Sequence, residues 1–127
     1  MIGRARSRLP AGERVLDARG FIFLSASPSV TPFHIEGENN FWMKIRGRKT
    51  MHIWDRNDSR VVTDQDLERF ILYRSLEGLR LDESKRALGL AFDCGPGDGL
   101  YFPSTTPHMT VSTRDWVTGS DRAKRGR

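Results

Sequence analysis

The chain of 127 residues, 37% hydrophobic and 29% charged, has room for one globular domain, which excludes a wholly disordered chain and disfavours a second domain. No apolar run is long enough to span a bilayer, and the first 19 residues lack the apolar stretch of a secretory signal, so we expect a cytoplasmic protein without a membrane partner. The net charge of +5 lies in two basic tails, residues 1–19 and 114–127, each with five basic and two acidic side chains, and the near-neutral body disfavours a nucleic-acid partner.

Short strands separated by turn signals are predicted in the first half of the body. Phe21–Leu24 is rich in aromatic and β-branched residues, which predicts a strand, and Val30–Glu36 predicts a second. Two further extended runs, Phe41–Arg46 and Lys49–Trp54, lie on either side of Gly47. A glycine at such a junction favours a hairpin turn between two paired strands.

One helix interrupts this series of strands. A polar turn over Asp55–Ser59 precedes it, and Thr63 with Asp66 three residues later resembles a capping box. Leu67, Phe70 and Ile71 follow at helical spacing. These signals predict a helix over 64–77.

The second half of the body returns to strands. Leu88–Phe92 and Leu100–Phe102 are extended runs on either side of a turn over Gly95–Gly99, and His108 opens a last strand over Met109–Ser112. Seven short strands and one inserted helix favour an all-β dominated sandwich or barrel of the jelly-roll and cupin type. We therefore predict a basic arm over 1–19, a body over 20–113 and a basic tail over 114–127.

Cys94 is the only cysteine, so the chain contains no internal disulfide and no thiolate zinc cluster. A reactive thiol needs a neighbouring cation, which Phe92, Asp93 and Gly95 do not provide. We expect Cys94 to pack as a small apolar residue.

His34, Glu36 and His108 are the candidate metal ligands. His34 and Glu36 are two positions apart on a predicted strand, so their side chains leave the same face. On its own this pair favours the simpler explanation, a surface histidine beside a surface glutamate. His108, 74 residues after His34, opens the predicted closing strand that would face the first. Two imidazoles and one carboxylate leave three positions open on an octahedral ion, an arrangement that suits non-haem Fe(II).

Three blocks of the sequence together resemble a known family. They are TPFHIEGENNFWMKIRGRK over 31–49, GPGDGLYFP over 95–103, and His108. In order and spacing they resemble the JmjC and cupin-like Fe(II)/2-oxoglutarate dioxygenases, and the similarity extends over about 23–111. The resemblance implies a cupin or jelly-roll double-stranded β-helix and an oxygenase (hydroxylase) that uses Fe(II) and the cosubstrate 2-oxoglutarate.

The resemblance also implies roles for individual residues. His34, Glu36 and His108 match the catalytic iron ligands, Lys49 matches the partner of the distal carboxylate of 2-oxoglutarate, Thr31 and Asn40 match polar positions that bind the cosubstrate, and Trp42 matches an aromatic pocket wall. Structural alternatives stay open: Lys49 as a hairpin cation, Asn40 as a turn cap and Trp42 as ordinary core. His52 has the strand parity opposite to Lys49, so we expect it to face away from the site.

The sequence departs from the family pattern after His108. The family continues into further strands, whereas this chain continues into its basic tail, so we expect a sheet that is incomplete at the C-terminal edge. Either the chain is a truncated or frame-shifted relative, or a partner chain, as in a homodimer, supplies the missing edge. The alternative to an active enzyme is a catalytically impaired cupin-fold module with a metal-binding or regulatory role, and the substrate, a small molecule or a protein side chain, stays open.

Overall fold

The structure, a computed structural model, describes residues 11–112. The predicted basic tail over 114–127 and the first ten residues of the predicted basic arm lie outside the described residues, and residues 11–19 form no helix or strand. None of the helices within the described range is long and apolar enough to cross a membrane.

Six strands and two helices make up the described range. In chain order they are β1 (Ser29–His34), β2 (Asn40–Met43), β3 (Lys49–Ile53), α1 (Asp64–Tyr73), α2 (Glu83–Arg86), β4 (Leu90–Cys94), β5 (Gly99–Phe102) and β6 (His108–Ser112). Four strands form an antiparallel sheet in the order β1-β6-β3-β4, and β2 and β5 form a second antiparallel sheet. The predicted dominance of antiparallel β-structure with few helices is confirmed.

The larger sheet has a core-facing side and an inner side. Because side chains alternate along a strand, Met109 and Val111 of β6 leave one face while His108, Thr110 and Ser112 leave the other. Met109 belongs to the main hydrophobic core, which also contains Ile35, Trp54, Val61, Val62 and Phe70. We call this side the core face and the opposite side, with His108, the inner face.

The small sheet lies over part of the inner face. Phe102 of β5 is buried, and its ring centroid lies 4.6 Å from that of His108. Trp42 of β2 pairs with Leu100 and leaves the same side of the small sheet as Phe102. Phe41 and Tyr101 leave the other side, where both are exposed. The side of β2 and β5 that carries Phe102 therefore faces the inner face at His108.

The predicted helix forms but ends earlier than expected. Its capping box is confirmed, since the Thr63 hydroxyl accepts from the Asp66 N–H at 3.1 Å and the Asp66 carboxylate accepts from the Thr63 N–H at 3.2 Å. The helix ends at Tyr73 instead of residue 77 because Arg74 adopts a left-handed conformation, φ 53°, and donates its N–H to Phe70 O at 2.8 Å. The short helix α2, capped by Asp82, was not predicted.

The predicted strand over Phe21–Leu24 is wrong. These side chains are exposed, and the backbone pairs with none of the described strands. Ser25 accepts a hydrogen bond from Lys49 Nζ at 3.1 Å, and the Ser27 hydroxyl donates to Ser112 Oγ at 3.3 Å. Lys49 begins β3 and Ser112 ends β6, so the segment crosses the ends of these strands and does not run alongside an edge.

The predicted hairpin around Gly47 is also wrong. Gly47 does turn the chain, with φ 73°, but β2 pairs with β5 and β3 pairs with β4 and β6. Beyond β2, the Lys44 N–H donates to Asp98 O at 2.9 Å and Gly97 N–H donates to Lys44 O at 2.8 Å. These bonds hold the chain to the β4–β5 turn, so the turn at Gly47 leads from one sheet to the other.

Cys94 is buried at the end of β4, as predicted. Burial raises the pKa of its thiol, and the carboxylates of Asp98 and Asp93 raise it further. Arg48, which donates to Asp93 at 2.6 Å, partly opposes this effect. The thiol is therefore a packing group that resists ionisation.

Candidate metal centre

His34, Glu36 and His108 meet at one end of the inner face. Each offers one ligand atom, and these three atoms lie within 4.8 Å of one another. His34 ends β1 and pairs directly with His108, which begins β6, and their ring centroids are 4.2 Å apart. A separation of this size allows a single ion to contact all three atoms, because metal–nitrogen and metal–oxygen bonds are about 2.0–2.2 Å long.

A one-residue irregularity in β1 brings His34 to this position. Thr31 pairs with Thr110, yet His34, and not Phe33, pairs with His108. The extra residue moves the side chains after it to the opposite face. His34 and Glu36 consequently leave on the inner side, while Phe33 packs edge-on against Trp54 at 5.0 Å on the core face.

The backbone fixes the tautomer of both histidines. His34 Nδ1 lies 2.7 Å from Pro32 O, and His108 Nδ1 lies 2.9 Å from Thr106 O. A carbonyl oxygen only accepts, so each Nδ1 carries the proton and donates it. Each ring then presents the lone pair of Nε2, with the second nitrogen anchored as in metal-ligating histidines.

The contact between His34 and Glu36 favours a positive charge at or between these two side chains. His34 Nε2 lies 3.2 Å from Glu36 Oε1. With the proton on Nδ1, this contact brings a lone pair against a carboxylate oxygen, and two acceptors do not attract each other. Either a second proton on His34 or a metal ion between the two groups makes the arrangement favourable.

His108 is the buried member of the triad. Its residue is 5% exposed, whereas the side chains of His34 and Glu36 are 19% and 42% exposed. Burial lowers the pKa of His108, and the neighbouring His34 lowers it further, although the bond to Thr106 and the charge of Glu36 partly oppose this. His108 is therefore neutral at neutral pH, the form that binds metals.

Lys49 lies on the same inner face as the triad, at the far end of β3. Lys49, Met51 and Ile53 alternate on one side of β3, and Ile53 pairs with His108. The four residue steps from Lys49 to Ile53 span about 13 Å along the strand. Lys49 is half-buried; burial lowers the pKa of its ammonium, as does the nearby charge of Lys44.

The other predicted cosubstrate residues occupy mixed positions. Thr31 pairs with Thr110 on the edge strand and is exposed, and Trp42 is half-buried on the inner side of β2. Asn40 Nδ2 donates to Glu38 O at 3.2 Å, which fits its alternative role in a turn. His52 faces away from the site, as predicted, but it lies on the core face instead of pointing outward, and its ring is 6.3 Å from that of Trp54.

Thr110 is a residue of this face that the sequence did not single out. It is 5% exposed, and its Oγ1 is buried without a hydrogen-bond partner among residues 11–112. The sequence does indicate that Thr110 shares a face with His108, because it follows His108 by two positions, the spacing of neighbours on one face of a strand. That its hydroxyl lacks a partner depends on packing and is visible only in the structure.

No protein-family model matches this chain, and a search of curated proteins gives no match either.

Proposed function

We propose that the chain is an Fe(II)- and 2-oxoglutarate-dependent oxygenase of the JmjC and cupin-like type, with His34, Glu36 and His108 as the iron ligands. The observation that carries this proposal is the convergence of three ligand atoms within 4.8 Å. Both imidazoles present Nε2, and the carboxylate completes a facial triad. Such a triad leaves coordination positions for a keto acid and for dioxygen.

The arrangement of the sheets supports the proposal at the level of the fold. A four-stranded antiparallel sheet faces a two-stranded one, and the triad lies on the face between them. This is compatible with a cupin-type double-stranded β-helix, in which metal ligands line the space between two sheets.

In this proposal, four side chains around the triad bind or enclose 2-oxoglutarate. Lys49 neutralises the distal carboxylate of 2-oxoglutarate, Thr31 and Asn40 hydrogen-bond the cosubstrate, and Trp42 closes one wall. The half-buried ammonium of Lys49 supports its role, because a charge attracts a carboxylate more strongly where water screens it less. To bind the carboxylate, Lys49 exchanges its present hydrogen bond to Ser25 for a stronger one to a charged group.

Bound iron supplies the oxidative step, in which 2-oxoglutarate and dioxygen give succinate and carbon dioxide while the second oxygen atom enters a C–H bond of the substrate. The protein holds the dicarboxylate at both ends and keeps the imidazoles in the tautomer that binds metal. The buried ring of Phe102 covers one side of His108, so the site is shielded from water on that side.

Succinate release tests the proposal. Purified protein supplied with Fe(II), ascorbate and 2-oxoglutarate is expected to form succinate slowly even without its substrate, and His34→Ala is expected to abolish this. The matched control is His52→Ala, which removes a histidine from the opposite face and is expected to retain turnover. Equal succinate formation by the wild type and His34→Ala would refute the role of His34.

The alternative is a catalytically impaired cupin-fold module that binds metal in a regulatory role. Two observations favour it: Ser25 holds the Lys49 ammonium, and the smaller sheet has only two strands within the described range. Titration with Mn(II), followed by electron paramagnetic resonance, separates the two functions. Metal binding that depends on His34 but is accompanied by no succinate would support the module, whereas both together support the oxygenase.

A further inference from the structure

We infer that the protein forms a symmetric homodimer in which the apolar segment Phe21–Leu24 of one copy packs on the outer side of the small sheet of the other. The outer side is the side of β2 and β5 that faces away from His108. Its large side chains are Phe41, Met43 and Tyr101. Such a dimer goes beyond the proposed function and does not depend on it.

The small sheet is apolar on both of its sides. Phe102 on its inner side is buried against His108. On the outer side, the ring centroids of Phe41 and Tyr101 lie 4.8 Å apart, and both rings are exposed to solvent. Strands that are apolar on both sides are typical of sheets that are covered on both. A sheet of two strands is marginally stable alone, so a cover on the outer side would also stabilise it.

The segment Phe21–Leu24 is a second exposed apolar surface. Its four side chains are between 73% and 96% exposed, and its backbone pairs with no strand within residues 11–112. After it, the bonds between Ser25 and Lys49 and between Ser27 and Ser112 hold the chain to the ends of β3 and β6 in the larger sheet. The segment and the outer side of the small sheet both stay exposed in a single copy, so they do not cover each other.

The exposed area matches what a stable dimer needs. A complete aromatic side chain buries about 150–250 Å², so the seven side chains of the two surfaces, which are 56% to 96% exposed, present roughly 1,000 Å² in each copy. Burying about four-fifths of this area in both copies removes about 1,600 Å² from water, the standard size of a specific interface. Exposed apolar surface of this extent is typical of interaction sites.

A second copy is the partner that carries both halves of this contact. Each copy offers one segment and one small sheet, so two copies related by a twofold axis make two identical contacts and leave neither surface exposed. The phenylalanine rings of the segment suit the rings of Phe41 and Tyr101, because aromatic side chains pack favourably against one another. The twofold axis also closes the assembly at two copies, whereas contacts in one direction only would build a filament.

The test uses Phe23→Glu in the segment and Phe41→Glu on the outer side of the small sheet, each of which places a carboxylate in the contact. The matched control is Leu72→Glu, which changes an exposed apolar residue of α1 outside both surfaces. Sedimentation velocity of the full-length chain at several concentrations measures the mass and the dissociation constant of the assembly. Circular dichroism verifies that each variant folds, and Met43→Glu replaces Phe41→Glu if the latter does not.

The wild type and Leu72→Glu are expected to be dimers at about 10 μM, since interfaces of this size have dissociation constants from micromolar to picomolar. Phe23→Glu and Phe41→Glu are each expected to raise the dissociation constant about 100-fold or more, because every dimer would bury two unpaired carboxylates. An equimolar mixture of these two variants is expected to dimerise more strongly than either alone. In the mixed dimer both carboxylates lie in one of the two contacts, and the other contact is wild type.

A wild type that is still monomeric at about 100 μM, well above the micromolar limit of such interfaces, would overturn the inference. A dimer that persists in either Phe23→Glu or Phe41→Glu would overturn it as well, because other surfaces would then be in contact. If both variants are monomeric but their mixture does not recover, the segment of one copy does not pack on the small sheet of the other, and the inference fails. Succinate release decides the proposed function separately, because the candidate metal ligands lie outside both surfaces.

Discussion

Between Thr31 and His34 the register of β1 shifts by one residue, and this shift determines which residues form the candidate metal centre. Without it, Phe33 would lie opposite His108, and His34 would leave on the core face. With it, Phe33 and Ile35 enter the core while His34 and Glu36 reach the inner face. Over 33–36, the two apolar residues therefore pack in the core, and the two polar residues supply candidate ligands.

The titration of His52 is a prediction at the same scale. Burial lowers the pKa of His52, and the nearby charge of Arg86 lowers it further. In the unfolded chain the pKa has its ordinary value of about 6.5, so the unfolded state takes up a proton first as the pH falls. The free energy of unfolding therefore decreases as the pH falls from about 6.5 to the lowered pKa of the folded state, and this contribution levels off below it.

His52→Gln is expected to reduce this acid destabilisation, because glutamine stays neutral in both states. Urea unfolding of the wild type and His52→Gln at pH 7.5 and pH 5 measures the difference. His108, whose pKa is also lowered, remains in both proteins, so part of the decrease is expected to persist. Parallel pH profiles for the two proteins would contradict the assignment to His52.

At the scale of the elements, Gly89 controls how α2 and β4 pack against β3. A Cβ at Gly89 would lie 2.6 Å from Cε2 of Trp54. The indole has no room to move away, because Trp54 is 3% exposed and its Nε1 donates to Lys85 O at 2.6 Å. The close approach of the chain to this ring therefore requires glycine.

Gly89→Ala is expected to lower the free energy of unfolding by about 1–3 kcal/mol, the usual cost of overpacking a core. Thermal unfolding followed by circular dichroism measures it, with the control Gly20→Ala, where a Cβ would meet nothing within 4 Å. If the two substitutions shift the Tm by equal amounts, the contact with Trp54 is not the cause.

Elements with local signals were predictable from the sequence. The capping box at Thr63 and the glycine-rich turn before β5 depend on neighbouring residues, and both form as expected. Pairing was not predictable: the extended run Phe41–Arg46 and the turn at Gly47 fit a hairpin locally, but bonds to the β4–β5 turn decide the partner. Phe21–Leu24 has strand propensity yet pairs with no strand within the described range, and the following residues Ser25 and Ser27 bond to the ends of β3 and β6.

At the scale of the whole molecule, the candidate ligands were predictable because the chain has three histidines and strand parity separates His52 from the site. His34 and His108 converge while His52 leaves the opposite face, as expected from the sequence, although that face packs on the core. The unpartnered hydroxyl of Thr110 was not predictable, since threonine is common in strands and burial without a partner depends on how the side chains pack. Local propensity predicts which residues form strands and helices. Which side chains meet between two sheets depends on the register of strands that are far apart in the sequence.

The candidate metal centre joins an edge strand to the middle of the larger sheet, which predicts that metal stabilises the whole fold. His34 ends the edge strand β1, and His108 begins β6, which lies between β1 and β3. An ion that binds only the folded state at 100 times its Kd adds about 2.7 kcal/mol to the free energy of unfolding, which raises the Tm by about 10 °C.

Thermal unfolding with Mn(II), and again after chelation, measures this stabilisation. The wild type and His52→Ala are expected to show the rise and its reversal, since His52 lies outside the triad. His34→Ala is expected to show neither, because loss of one ligand weakens binding by more than the roughly 10–100-fold that loss of an outer-shell partner costs. An equal rise in His34→Ala would mean that the ion binds elsewhere and that the three converging side chains do not form a metal site.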